Sequence, residues 1–234
     1  MRKYAIKKQV DHTWPLFFKR TVSAQIHLAA LIASLVGLGV FIALPQVSGA
    51  SLVACSIFVL TGALTMFVST TYHFMSDGFE INDHLMQALE NLDHFCIYIF
   101  IAGSYTPFLL AVVQSPWREW LMISVWVTAL VGILYTQFKP KLPKWAQSRI
   151  VYTGVFILMG WTLVVRIEEV WTTLNGVDFM LLVGGGLAYS LGAVVYVFKR
   201  PNPFPGVFGF HEIWHVAVAL GFAIHYWMIY NLFV

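Results

Sequence analysis

Between Arg20 and Asp77 the chain runs for 56 residues without an Asp, Glu, Lys or Arg, interrupted only by the turn-forming Pro45-Gln46-Val47-Ser48-Gly49. About 20 apolar residues cross a bilayer core, so this stretch predicts two spanning helices joined by a tight turn. Further uncharged runs follow: 24 residues from Asp93 to Arg118, 19 from Glu119 to Lys139, 16 from Arg149 to Arg166, 20 from Asp178 to Lys199, and everything after Glu212. Hydrocarbon offers no partner to open backbone groups, so runs of this length read as helices. The pattern predicts an all-α integral membrane protein, a seven-transmembrane helix bundle. Its helices are expected over 22–44, 51–75, 86–112, 117–138, 149–170, 177–198 and 209–232. The fifth run is the shortest and must borrow residues at its ends to span. Residues 1–21 read as a separate basic interfacial segment, and 22–234 as one transmembrane domain.

Composition adds exclusions. Only 11% of the 234 residues are charged, 59% are hydrophobic and nine are Trp. A soluble domain carries about 25% charged residues, so a water-soluble enzyme, a disordered regulator and a nucleic-acid module are all excluded. The distribution of Lys and Arg orients the bundle. An N-terminus inside places twelve of them on the cytoplasmic side, including Arg20, Lys139, Arg149 and Lys199, and only Arg118 and Arg166 opposite. The positive-inside rule therefore predicts a cytoplasmic N-terminus and an outside C-terminus. The first 20 residues lack the apolar core and small-residue cleavage site of a signal peptide, and read as a segment lying on the inner leaflet. Cys55 and Cys96 sit in apolar runs and form no metal-type pair.

Ionisable side chains are costly inside a span, and several occur here. The second helix ends in Ser69-Thr70-Thr71-Tyr72-His73, the third carries Asp93, and the seventh opens with His211-Glu212-Ile213-Trp214-His215. The second helix runs inward, while the third and seventh run outward from the same side. His73, Asp93, His211 and His215 thus fall at one depth near the inner leaflet, although Lys and Arg alone set the orientation. His211 and His215 share a helix face, which lets both imidazoles reach one ion. A histidine-rich set with a carboxylate favours zinc. The alternative is that these histidines act as polar glue between helices.

The order Ser69-x-x-x-His73, then Leu92-Asp93 with Gly103-Ser104-Tyr105-Thr106-Pro107, then His211-x-x-x-His215 resembles the progestin and adipoQ receptor (PAQR)/haemolysin III family. The resemblance implies that His73, His211 and His215 are zinc ligands. It implies that Asp93 completes the shell or holds a zinc-bound water, and that Ser69 lies one turn from His73 on the same face. The short chain is similar to bacterial haemolysin III-type members, which implies a multi-pass protein of the bacterial inner (plasma) membrane. The first helix departs from the family's Glu…Asn…Thr-His pattern: Ser23-Ala24-Gln25-Ile26-His27 keeps only His27.

The remaining polar residues are weighed against blander roles. His27 reads as a satisfied bundle histidine, with a role beside the metal ligands as the alternative. His94 reads as interfacial, pointing away from Asp93, and Glu90 as a solvated helix-start carboxylate able to orient Asp93. His225 lies fourteen residues beyond His211, about 21 Å along a helix, too far to share its ion. The Gly184-Gly185-Gly186 run reads as a site of close helix packing. Three functions fit these features: a zinc hydrolase of membrane lipid amides or esters, with Asp93 as general base and Ser69 at the oxyanion; a receptor or membrane-state regulator with structural zinc; and a pore-forming, cytolytic haemolysin. The ceramidase-like layout of Ser, His, Asp, His and His implied by the resemblance favours the first.

Overall fold

The computed structural model describes residues 21–79 and 81–234. They form α1 (Val22–Ala43), α2 (Gly49–Gly78), α3 (Asp83–Val112), α4 (Trp117–Phe138), α5 (Arg149–Gly160), α6 (Ile167–Thr173), α7 (Gly176–Phe198) and α8 (Phe210–Phe233). A 3-10 segment, Thr162–Arg166, links α5 to α6 into one span, so seven helical segments are long and apolar enough to cross a membrane. Each agrees with its expected range to within three residues. The basic segment expected over 1–21 lies, apart from Thr21, outside the described residues.

Helix ends follow local chemistry. Asn82, Ser148 and Asn175 accept the backbone N–H of Leu85, Val151 and Asp178, satisfying donors that the first turn leaves open. Glu212 accepts the Gly209 N–H at 2.7 Å and closes the first turn of α8. The outward faces are apolar, with Ile32, Val36, Trp120, Leu158 and Leu191 all exposed. Helices apolar on every side need lipid as their outer solvent.

The helices α1 to α4 pack in sequence, α7 packs on α8, and α8 closes on α1. Helix α3 lies at the centre, against α2, α4, α5 and α8. Tyr98, Leu109, Phe58, Met66 and Ile229 fill the interior. Side-chain bonds reinforce the α1–α8 closure: Ser23 Oγ donates to Glu212 Oε1 at 2.9 Å, and Tyr226 Oη donates to the Gly37 carbonyl at 2.9 Å.

The fifth span is not one continuous helix. Its backbone leaves the α-helix at Gly160, where Tyr105 Oη of α3 donates to the Gly160 carbonyl (2.7 Å) and accepts the Leu163 N–H (3.2 Å). One hydroxyl thereby serves two groups that hydrocarbon could not. A run of 16 uncharged residues predicts a short span but not a break, because the brace comes from another helix.

At the end opposite the histidines, the Asp178 carboxylate is buried and accepts both Asn175 Nδ2 (2.6 Å) and Asn231 Nδ2 (2.8 Å), joining α7 to α8. Asp178→Ala strands two amides, each worth about 1 kcal/mol net. We expect a stability loss of about 1–2 kcal/mol, read as a lower melting temperature in detergent. An unchanged melt would show that this junction contributes nothing.

Candidate metal centre

Two helices deliver the histidines. Helix α2 carries Ser69 and His73 one turn apart near its C-terminal end, and α8 carries His211 and His215 in its first two turns. The antiparallel run of α2 and α8 brings these turns together. His73 and His215 are buried and His211 is half-buried. His211 Nε2 lies 3.3 Å from His73 Nε2 and 3.0 Å from His215 Nε2. The ligand atoms of all three lie within 4.8 Å of one another, the one such group among the described residues.

Hydrogen bonds alone do not account for this cluster. A neutral imidazole nitrogen offers either one hydrogen or one lone pair, so His211 Nε2 cannot pair well with two other Nε2 atoms at once. A shared cation uses all three lone pairs. Nitrogens about 2.0–2.1 Å from a tetrahedral ion stand roughly 3.3 Å apart, close to the observed spacings. With Nε2 turned inward, Nδ1 must carry the hydrogen and find an outer partner. His215 Nδ1 lies 3.0 Å from both ring nitrogens of His27, and His73 Nδ1 lies 3.8 Å from Asp77 Oδ2. Outer partners of this kind orient metal-binding histidines. The three side chains can hold a metal ion.

His27 is thus in direct contact with a cluster member, which favours the alternative to a plain bundle histidine, a role beside the metal ligands. Its signal was its position about one turn into α1, at the histidine end. His27→Ala should leave a metal site of full stoichiometry but 10–100-fold weaker affinity, the usual cost of losing an outer partner. Competition with a chelator of known affinity measures this, and unchanged affinity would reduce His27 to packing.

The cluster opens on an interior cavity of about 300 Å³. Ser69 and Asp93 line it beside the histidines, although Asp93 is not among the three residues whose ligand atoms converge. Along α8 its lining reaches from His211 to Ile229, a rise of about 27 Å at 1.5 Å per residue. The expectation for His94 needs correction. It lines the same cavity, donates Nδ1–H to the Glu90 carbonyl at 2.7 Å and meets Tyr152 edge-on. The central position of α3 turns a broad face to the cavity, so Glu90, Asp93 and His94 all reach it. Cys55 and Cys96 are both buried.

Arg149, one of the charges that orient the bundle, also lines the cavity. Its guanidinium lies 4.2 Å over the Tyr196 ring, and Nη1 donates to the Tyr196 carbonyl at 3.0 Å. The available signal was its place at the first residue of the fifth span, at the same end as the histidines.

These features define a multi-pass membrane protein with seven candidate spans and a histidine cluster able to bind metal. The family model described as "Haemolysin-III related" matches residues 17–226. The chain belongs to this family, whose other name is PAQR. It is 31% identical over 198 residues to the Hemolysin-3 homolog of Bacillus subtilis (strain 168), covering 80% of this chain and 85% of that protein. It is 35% identical over 138 residues to Hemolysin-3 of Bacillus cereus, with 59% and 58% covered. The Monocyte to macrophage differentiation factor of Homo sapiens is 30% identical over 169 residues, with 70% and 63% covered.

Proposed function

We propose that the protein is a zinc-dependent hydrolase of membrane lipid amides or esters, with its site facing the inner leaflet of a bacterial plasma membrane. One observation carries the reading: the three convergent histidines open on a long interior cavity that also holds Asp93 and Ser69. Three protein nitrogens with room beside them is the pattern of catalytic zinc, whereas structural sites are closed by a fourth ligand. Bound zinc would supply Lewis-acid polarisation of a carbonyl and an acidified water. His73, His211 and His215 would hold it, and His27 would keep His215 turned inward. Asp93 would accept the proton of the attacking water, and the Ser69 hydroxyl would hydrogen-bond the oxygen that gains charge. Apolar walls, among them Ile97, Ile101 and Phe108, would hold an acyl chain and exclude bulk water. The excess of Lys and Arg at the histidine end supports an inner-leaflet location.

A second reading has its own support. Helices α2 and α8 pack against each other only lightly, yet the histidines link them, so the metal would also pin the bundle. A receptor or regulator with structural zinc would use it that way. The discriminating experiment incubates purified, zinc-loaded protein with ceramide, an N-acyl amide and a phospholipid ester, with chelator-stripped protein in parallel. Zinc-dependent release of fatty acid from one class supports the hydrolase. No release from any leaves the structural-metal reading in front.

A further inference from the structure

The cavity does not end where the chemistry just proposed would end. Its far part is lined by Leu182, Tyr189, His225 and Met228, on α7 and α8. Two of these are hydrogen-bonding side chains that neither the metal cluster nor Asp93 accounts for. The Tyr189 hydroxyl is buried and makes no hydrogen bond among the described residues. The ring of His225 lies against the bare Cα of Gly185, where a Cβ would collide with it. Here one glycine of the Gly184-Gly185-Gly186 run has its packing role, and what it admits is an imidazole. His225 Nε2 lies 3.2 Å from the Leu182 carbonyl. A carbonyl only accepts, so Nε2 carries the hydrogen and the uncharged ring keeps Nδ1 as an acceptor. The Tyr189 and His225 ring centroids are 5.5 Å apart.

A buried hydroxyl without a partner loses about 1–3 kcal/mol of hydrogen bonding, so its retention in an otherwise apolar stretch asks for a partner that enters from outside. Tyr189 can donate, and His225 can accept. A single hydroxyl, which both accepts and donates, answers the pair. We propose that Tyr189 and His225 form a second, hydrogen-bonding subsite in the far part of the cavity, which takes a hydroxyl carried along the apolar chain of an amphiphile. The subsite rests on the reading that such a chain occupies the cavity with its head at the histidine cluster. It adds selection by chain oxygenation, which the metal end cannot supply. His225 lies about 21 Å along α8 from His211, so the selected hydroxyl is remote from the head group.

The test uses zinc-loaded protein in nanodiscs and octadecanoic acids that carry no hydroxyl, or one near the carboxyl, at mid-chain or at the terminal carbon. Equilibrium binding should favour the mid-chain or terminal isomer over the plain acid by about 3–10-fold, the range of one net hydrogen bond. Tyr189→Phe should collapse that ratio to near one, and His225→Phe should reduce it. Metal content, read on the same samples, reports that the bundle still holds. Equal affinity of the wild type for all four acids, or a preference that survives Tyr189→Phe, overturns the subsite and leaves the cavity reading standing. Binding of none of the acids overturns both.

Discussion

Protein carrying His211→Ala together with His215→Ala will be isolated with almost no metal, against about one ion per wild-type chain. The pair supplies two of the three nitrogens that converge, and the remaining His73 would be a single ligand on a separate helix. Zinc sites in proteins need three or four protein ligands, and the apparent binding free energy of structural sites is about 10–16 kcal/mol, so loss of two ligands removes most of it. Elemental analysis of purified protein, with size-exclusion behaviour as the check on folding, reads the result. Full retention of metal in the double variant would dismiss the cluster as the site. Because the ligands link α2 to α8, the variant should also melt at a lower temperature than metal-loaded wild type, and added zinc should not restore it.

On the proposed hydrolase reading, Asp93→Asn will keep the metal and lose hydrolysis by about 10²–10⁴-fold, the usual contribution of a general base. The substitution preserves size and hydrogen bonding but removes the carboxylate's ability to take a proton. Asp93 lies outside the group of convergent ligand atoms, so metal content should stay near the wild-type value. This separates a base from a ligand: a variant that loses metal together with activity would make Asp93 part of the coordination shell. A variant with wild-type turnover would end its catalytic role altogether.

Much of this was legible in the residues. Seven spans follow from where charges stop, since a bilayer tolerates few of them and its thickness sets the length. The shared depth of His73, His211 and His215 also followed, because helix direction alternates along the chain. Other features were not legible, for reasons of packing. Nothing local to Gly160 announces that α5 ends there; the Tyr105 hydroxyl that satisfies the break comes from α3. His94 was judged by its angle from Asp93, but the central place of α3 exposes both directions to one cavity. The sequence leaves His27 open between a bundle histidine and a role beside the ligands, because its partner His215 lies 188 positions away. Neighbour relations of that range are invisible to periodicity.

The closure of α1 on α8 has a consequence for biogenesis. His27 is among the earliest described residues and meets His215 in the final helix, while Ser23 meets Glu212 beside it. A chain emerges from the ribosome N-terminus first. Helix α2 therefore enters the bilayer with His73 bereft of both co-ligands until the last span follows. A product that stops short of α8 lacks His211 and His215, so any metal held by the three histidines can be captured only after α8 is in place.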